Sequence, residues 1–156
     1  MNAGAAIAQG KWLLFLHADT QLPTSFLELL PAADAASQWG RFDVRLSPSS
    51  PMLRVVAWMM NWRARLTGVC TGDQAIFVRR ALFEQVGGYA PIPLMEDIEL
   101  SKRLRPHGRP LCLHERLTTS SRRWQQNGTL RTIVLMWWLR WRYWRGAPME
   151  KLAQRY

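Results

Sequence analysis

The sequence predicts an α/β fold built on a mixed sheet. Three observations carry the prediction. Short apolar or alternating runs, which read as strands, take turns along the chain with segments that carry helix starts and stops. The 156 residues are 48% hydrophobic and 21% charged, which excludes a disordered chain and allows a real core without metal or disulfide staples. No repeat, low-complexity tract or obvious linker breaks the alternation.

The elements follow in order. Ala3–Gln9 is Ala-rich and reads as the end of a helix, with Gly10 as its stop. Trp12–Leu16 is a continuous apolar run, as in a strand buried on both faces, and it ends in His17-Ala18-Asp19-Thr20. Pro23 opens a helix to about Leu30. Arg41–Leu46 alternates strictly, which predicts a half-buried strand. Ser50-Pro51 starts a helix to about Leu66, since Ser suits the cap and Pro the first helical position. Gln74–Val78 reads as a strand, and Arg80–Val86 as a short helix stopped by Gly87-Gly88. Glu96–Leu104 reads as a helix ending before Pro106. Pro110–His114 and Leu117–Ser120 are two short strands. A long Trp/Arg helix follows from about Thr129 to Arg145, and Pro148–Gln154 is a last helical turn or two. An α/β domain normally begins with a strand, whereas this sequence begins inside a helix. The expectation is an unusual fold or a missing N-terminal part.

The net charge is +10, from 21 Lys and Arg against 11 Asp and Glu, and nine residues are Trp. Lys occurs only at 11, 102 and 151. Residues 1–78 hold 6 basic and 5 acidic side chains, and residues 79–156 hold 15 and 6. The basic character therefore belongs to the second half. Arg offers a planar fork for phosphate and carboxylate, so the candidate partners are nucleic acid, anionic lipid or a phosphorylated small molecule. Cys70 and Cys112 have no CxxC and no His at ligand spacing, so they read as reduced core thiols of a cytosolic protein. Met1–Gly10 has neither the basic start nor the apolar stretch of a signal peptide. No apolar run reaches the ~18–20 residues of a membrane span.

Five features carry candidate chemistry. Asp19, with His17, follows a buried strand, where a carboxylate can hold a hard divalent ion together with diphosphate oxygens; a turn Asp that bonds nearby amides is the plainer alternative. Thr71-Gly72-Asp73-Gln74 is a small-residue approach to a strand, where Asp73 suits sugar hydroxyls or an Asx turn. Glu96-Asp97 is a carboxylate pair suited to a general base, or else two acids favoured by a helix dipole. Arg122-Arg123-Trp124 precedes the long helix and suits a diphosphate, or forms a solvated loop with a core Trp. On the long helix, Arg131, Arg142 and Arg145 cluster on one side and Arg140 lies opposite, with a wide apolar remainder. That pattern fits a helix lying in a membrane surface, or a helix packed on the domain with Arg stems over apolar surface.

Taken in order, Asn2-Ala3-Gly4-Ala5, Leu14–Thr20 with its His17-Ala18-Asp19, Gly72-Asp73-Gln74, Leu94–Leu100 with its Glu96-Asp97, and Ser121-Arg122-Arg123-Trp124 resemble the family-2 glycosyltransferases, closest to a small bacterial subgroup. The resemblance covers nearly the whole chain. It implies a GT-A fold and transfer of a sugar from a nucleoside-diphosphate donor to an acceptor hydroxyl on a glycan or lipid-linked molecule. Inversion at the sugar, with Mg²⁺ or Mn²⁺, is the implied chemistry. By resemblance, Asp19 is the last Asp of the DxD motif and the metal ligand, with His17 in place of the first Asp as a softer ligand or a packing residue. Asp97 is the acceptor base with Glu96 beside it. Asp73 and Gln74 lie in the acceptor-side loop, and Arg122, Arg123 and Trp124 match the arginine–tryptophan motif near the diphosphate. The family also has N-terminal strands that bind the donor base, and nothing here matches them. Residues 1–127 then read as a partial GT-A domain with an exposed sheet edge, and 128–156 as a helical segment on that domain or at a membrane.

Two further readings stand beside this one. The first is an inactive, truncated module that binds an anionic membrane or a partner protein. The second is nucleic-acid binding, which is not expected, because the aromatic residues keep apolar helical company instead of forming a strand platform. The expected location is the cytoplasm, peripheral to the inner face of the plasma membrane.

Overall fold

A computed structural model of the chain describes residues 1–30, 36–147 and 153. The expected final helix over Pro148–Gln154 lies outside the described residues, apart from Ala153. The strands are β1 (Trp12–Leu14), β2 (Thr20–Gln21), β3 (Trp39–Ser47), β4 (Phe77–Arg79) and β5 (Leu111–Ser120). They form one sheet in the order β1-β4-β3-β5-β2. β4 runs antiparallel to β1 and β3, β5 runs parallel to β3, and β2 is antiparallel to β5. The class is therefore mixed α/β, as the alternation predicts.

The helices are α1 (Asn2–Ile7), α2 (Pro51–Thr67), α3 (Arg80–Gln85), α4 (Glu96–Leu104), α5 (Arg122–Gln126) and α6 (Thr129–Trp144). α2 begins where Ser50 Oγ accepts from Leu53 N at 3.2 Å, and it ends at Gly68 in a left-handed conformation with φ 67°. α4 has Glu96, Asp97 and Glu99 in its first turn and Lys102 and Arg103 in its last, which suits the helix dipole at both ends.

Four expectations change. Pro23–Leu30 is a series of turns instead of an α-helix, closed by bonds three residues apart from Phe26 N to Pro23 O (3.1 Å) and Leu29 N to Phe26 O (3.3 Å). That spacing lets Phe26 and Leu29 both pack against the apolar cluster beside α2, and packing outweighs propensity. β1 lies at the edge of the sheet, with Leu13 buried and Trp12 and Leu14 only partly so. The two short strands after Pro110 are one strand, because β5 pairs Leu113 with Phe42 and then Arg116 with Asp43, leaving His114 and Glu115 as a bulge.

The fourth change is β3, which is central and buried on both sides from Trp39 to Val44. Its alternation does not separate core from solvent, because the polar residues are buried with polar partners. Arg41 is fully buried and bonds to Asp43, to Phe42 O (3.0 Å) and to Asn61 O (2.9 Å). Asp43 also takes Arg65 at 2.7 and 3.0 Å. β4 pairs with β3 only at Trp39 and Gly40. Beyond that point Asn61 of α2 replaces it, accepting from Val44 N (2.9 Å) and donating to Val44 O (3.1 Å).

The core has two main parts. Leu13, Trp39, Ile76, Val78, Leu82, Phe83, Leu100 and Leu104 join the sheet to α3 and α4. Phe42, Val44, Leu46, Leu53, Val56 and Phe77 join it to α2. A smaller cluster of Leu94, Met95, Ile98 and Leu139 docks α6 on the start of α4.

β1 and β2 occupy opposite edges of the sheet, yet only residues 15–19 connect them. Four strand spacings span about 19 Å, and six steps of fully extended chain reach only about 20 Å. The connection also contains a turn, with Thr20 N bonded to His17 O at 3.1 Å. The sheet must therefore curl to bring its edges within reach.

Candidate functional site

The topology collects the motifs at one edge. β1, β3 and β5 point the same way and β4 the opposite way. The segment after β1, the approach to β4 and the segment after β5 all meet the sheet at the carboxyl ends of its parallel strands. Open α/β sheets bind ligands there.

Three of the expected segments are joined by direct contacts. The His17 ring lies on Gly72 so closely that a Cβ at residue 72 would stand 2.2 Å from His17 Nε2. Only glycine permits that approach. Gly72 N donates to Asp97 Oδ2 at 2.8 Å. Asp97 Oδ1 accepts from Ile98 N at 2.7 Å, which sets the carboxylate at the start of α4. Left-handed backbone at two non-glycine residues, Ala75 (φ 48°) and Met95 (φ 64°), flanks this junction. Such residues cost about 1–3 kcal/mol each and persist where their surroundings dictate them.

Asp19 is exposed, at the turn before β2. Its neighbour Thr20 is buried and bonds Thr119 of β5 through their hydroxyls at 3.0 Å. Arg122 and Arg123 open α5 two and three residues after β5 ends, so the end of β5 is common to Asp19 and the Arg pair. Arg122 is exposed. Trp124, expected near substrate, packs against the cluster beside α2.

Asp73 is exposed on the rim of this edge. Gln74 departs from its expected substrate role. Its side chain is fully buried, accepting from Thr71 N (3.3 Å) and meeting Asn61 Oδ1 at 3.5 Å, so it shapes the loop from within. The Glu96-Asp97 pair also divides. Asp97 turns to Gly72, whereas Glu96 lines a shallow cleft of about 400 Å³ with Asn2, Tyr89, Ile92 and Pro93. Burial, and then the nearby Asp97 and Glu96 carboxylates, push the Tyr89 phenol well above its usual range. Its buried hydroxyl has no hydrogen-bond partner among the described residues.

Sequence reasoning missed Arg63. It lies on α2, with Nε and Nη2 buried and without a hydrogen-bond partner among the described residues. Burial first, then the Arg140 charge from α6, lower its pKa to about 10, and Asp97 opposes the shift. α2, α4 and α6 therefore bring two cations and one carboxylate together. Nothing in the sequence separates Arg63 from the other Arg of α2, since only the meeting of three helices singles it out.

Among the described residues, no group of three or more His, Cys, Asp or Glu is arranged to hold a metal ion. Asp19 fits a different mode, in which one carboxylate and substrate phosphates share a Mg²⁺ ion. His17 Nε2 faces Gly72. Cys70 and Cys112 are free thiols, and burial pushes the Cys70 thiol up to about 12.

α6 turns Leu135, Met136, Leu139 and Tyr143 inward. It leaves Leu130, Val134, Trp137, Trp141 and Trp144 exposed, at alternating spacings of four and three. α2 exposes a second stripe of Met52, Val55, Met59, Trp62 and Leu66. Arg142 and Arg145 lie over the rings of Trp138 and Trp141. No described helix is long and apolar enough to cross a membrane.

Compared with models of known protein families and with curated proteins, the chain matches none.

Proposed function

We propose that the chain carries the acceptor side of a GT-A-type glycosyltransferase, which moves a sugar from a nucleoside-diphosphate donor to an acceptor hydroxyl. One observation carries the reading: His17, Gly72 and Asp97, from three separate motifs, meet at the carboxyl edge of a mixed sheet. In this reading Asp97 accepts the proton of the attacking hydroxyl, and Gly72 N orients the carboxylate for that task. Asp19 would hold Mg²⁺ or Mn²⁺ jointly with the donor diphosphate. The bound metal would supply positive charge to the leaving group. Arg122 and Arg123 would add cationic charge to offset the diphosphate. Asp73 would bind sugar or acceptor hydroxyls from the rim, and in-line displacement would invert the sugar carbon.

The test is nucleotide-sugar turnover with a divalent ion. Asp97→Asn is expected to lower turnover by about 100-fold or more, the scale of a lost general base, and Asp19→Asn to raise the metal requirement. Full turnover by Asp97→Asn would refute the base assignment.

The exposed stripes of α2 and α6 support a second reading, in which the chain docks on an anionic bilayer. Trp and Leu would enter the interface while Arg131, Arg142 and Arg145 meet lipid phosphates. Flotation with vesicles of phosphatidylcholine and phosphatidylglycerol is expected to carry the protein up, and Trp137→Ser with Trp141→Ser to leave it at the bottom. Equal flotation of the double variant would remove this reading. Flotation without any affinity for nucleotide sugars would favour a binding module over an enzyme.

A further inference from the structure

A guanidinium with two enclosed, idle donors is a costly object. Arg63 has Nε and Nη2 out of contact with water and bonded to nothing among the described residues. A second cation, Arg140, stands close enough to disfavour its charge. The carboxylate that acts on it, Asp97, is already held by two backbone donors, Gly72 N and Ile98 N. Other ionic clusters in the fold are built differently. Arg41 and Arg65 share Asp43, and Arg103 is paired with Glu99. Arg41 and Arg140 each leave one such donor, Nε, whereas Arg63, itself half-buried, leaves two, Nε and Nη2.

We propose that Arg63, with Arg140 beside it, binds a phosphate group carried by the acceptor. This rests on the reading of Asp97 as the group that meets the acceptor hydroxyl. An acceptor so held would place its hydroxyl at Asp97 while its phosphate sits between α2 and α6. The guanidinium fork supplies two parallel donors to the phosphate oxygens, and the neighbouring cation adds charge. The same chemistry is met by a soluble phosphate ester or by a lipid phosphate, and α2 and α6, which carry the two cations, also carry the exposed apolar stripes that a lipid source would engage.

The experiment uses the full chain without nucleotide sugar. Glycerol 1-phosphate is titrated calorimetrically, and vesicles of phosphatidylcholine with and without phosphatidic acid are floated. The wild type is expected to bind phosphate. Arg63→Met is expected to weaken binding by about 10- to 100-fold, the scale of a lost hydrogen bond to a charged group. Arg63→Lys, which keeps charge and loses the fork, falls between them. Arg109→Met, which removes an exposed charge, leaves binding unchanged. The melting temperature of Arg63→Met is expected to hold or rise, because the variant sheds a desolvated cation, whereas a purely structural Arg would lower it. Asp97→Asn lowers transfer by about 100-fold or more in the proposed function yet retains or tightens phosphate binding, so the two readings fail separately. Arg63-dependent binding of the ester alone identifies a soluble acceptor, and of the phosphatidic acid vesicles alone a lipid one. Undiminished binding by Arg63→Met overturns the proposal. So does an equal loss in Arg109→Met, or a wild type that binds neither probe.

Discussion

Asp43→Asn tests the most unusual part of the core. Asp43 is the only acid paired with Arg41, among the described residues, and Arg41 is fully buried in the central strand. The substitution removes the negative charge and leaves at most one of the two carboxylate acceptors. Breaking a buried ion pair from one side costs about 3–5 kcal/mol, because the other charge stays buried without compensation. Arg65 is partly exposed, so its share is discounted for solvent. The retained amide oxygen keeps one bond, which sets the cost near the lower end, at about 3 kcal/mol. For a chain of this size each kcal/mol moves the melting temperature by about 2–4 °C, so a fall of roughly 6–12 °C is expected. Thermal unfolding followed by circular dichroism reads it. Replacing the pair together, Arg41→Met with Asp43→Leu, should recover most of the loss, since neither charge is then stranded. A fall below about 2 °C in Asp43→Asn, on the same scale, would refute the reasoning. A double variant as unstable as the single one would also refute it.

Two other outcomes follow from the site and the core. Gly72→Ala would drive a Cβ into His17 and should cost about 1–3 kcal/mol; adding His17→Ala removes the clash and restores the melting temperature, and failure of that rescue would show that the ring is not the obstacle. Cys70 gains stability from its buried neutral thiol, a gain fully present below pH 9 and lost as pH rises from 9 to about 12. Iodoacetamide at pH 8 should therefore label the half-buried Cys112 alone in native protein, and both thiols in guanidinium, by mass spectrometry; native labelling of Cys70 at the rate of Cys112 would contradict the burial.

Local signals in the chain told most about elements that govern their own ends. α4 matches its expected span of Glu96–Leu104 because acids, bases and Pro106 mark it within ten residues. α2 begins at Ser50-Pro51 for the same reason. Alternation at Arg41–Leu46 identified a strand but not its burial, because Asn61 and Arg65, from a distant helix, supply the partners that let polar side chains go inside. The merged strand β5 depends on β3 as its template, and the polar bulge at His114 and Glu115 reads locally as a gap between two strands. Of the candidate site, the motifs were legible as chemistry next to turns. The close approach of His17 to Gly72, the parting of Glu96 from Asp97 and the burial of Gln74 against Asn61 depend on partners distant in the sequence. Arg63 was invisible because its meaning comes from Arg140, 77 positions away along the sequence.

The short link between β1 and β2 ties two kinds of event together. β2 holds only two residues and sits at the sheet's far edge, where fraying is easiest. The link is five residues long and Asp19 adjoins β2, so release of β2 would set Asp19 free to move with it. Amide exchange at Thr20 and Gln21 thus becomes a gauge of how often the edge comes apart. A ligand gripped at Asp19 would act as a rivet on the weakest strand, and its affinity would be readable as slower exchange there. The same economy makes the link a fixed-length ruler: a deletion between Phe15 and Asp19 would draw the two edge strands toward each other and strain their pairing with β4 and β5.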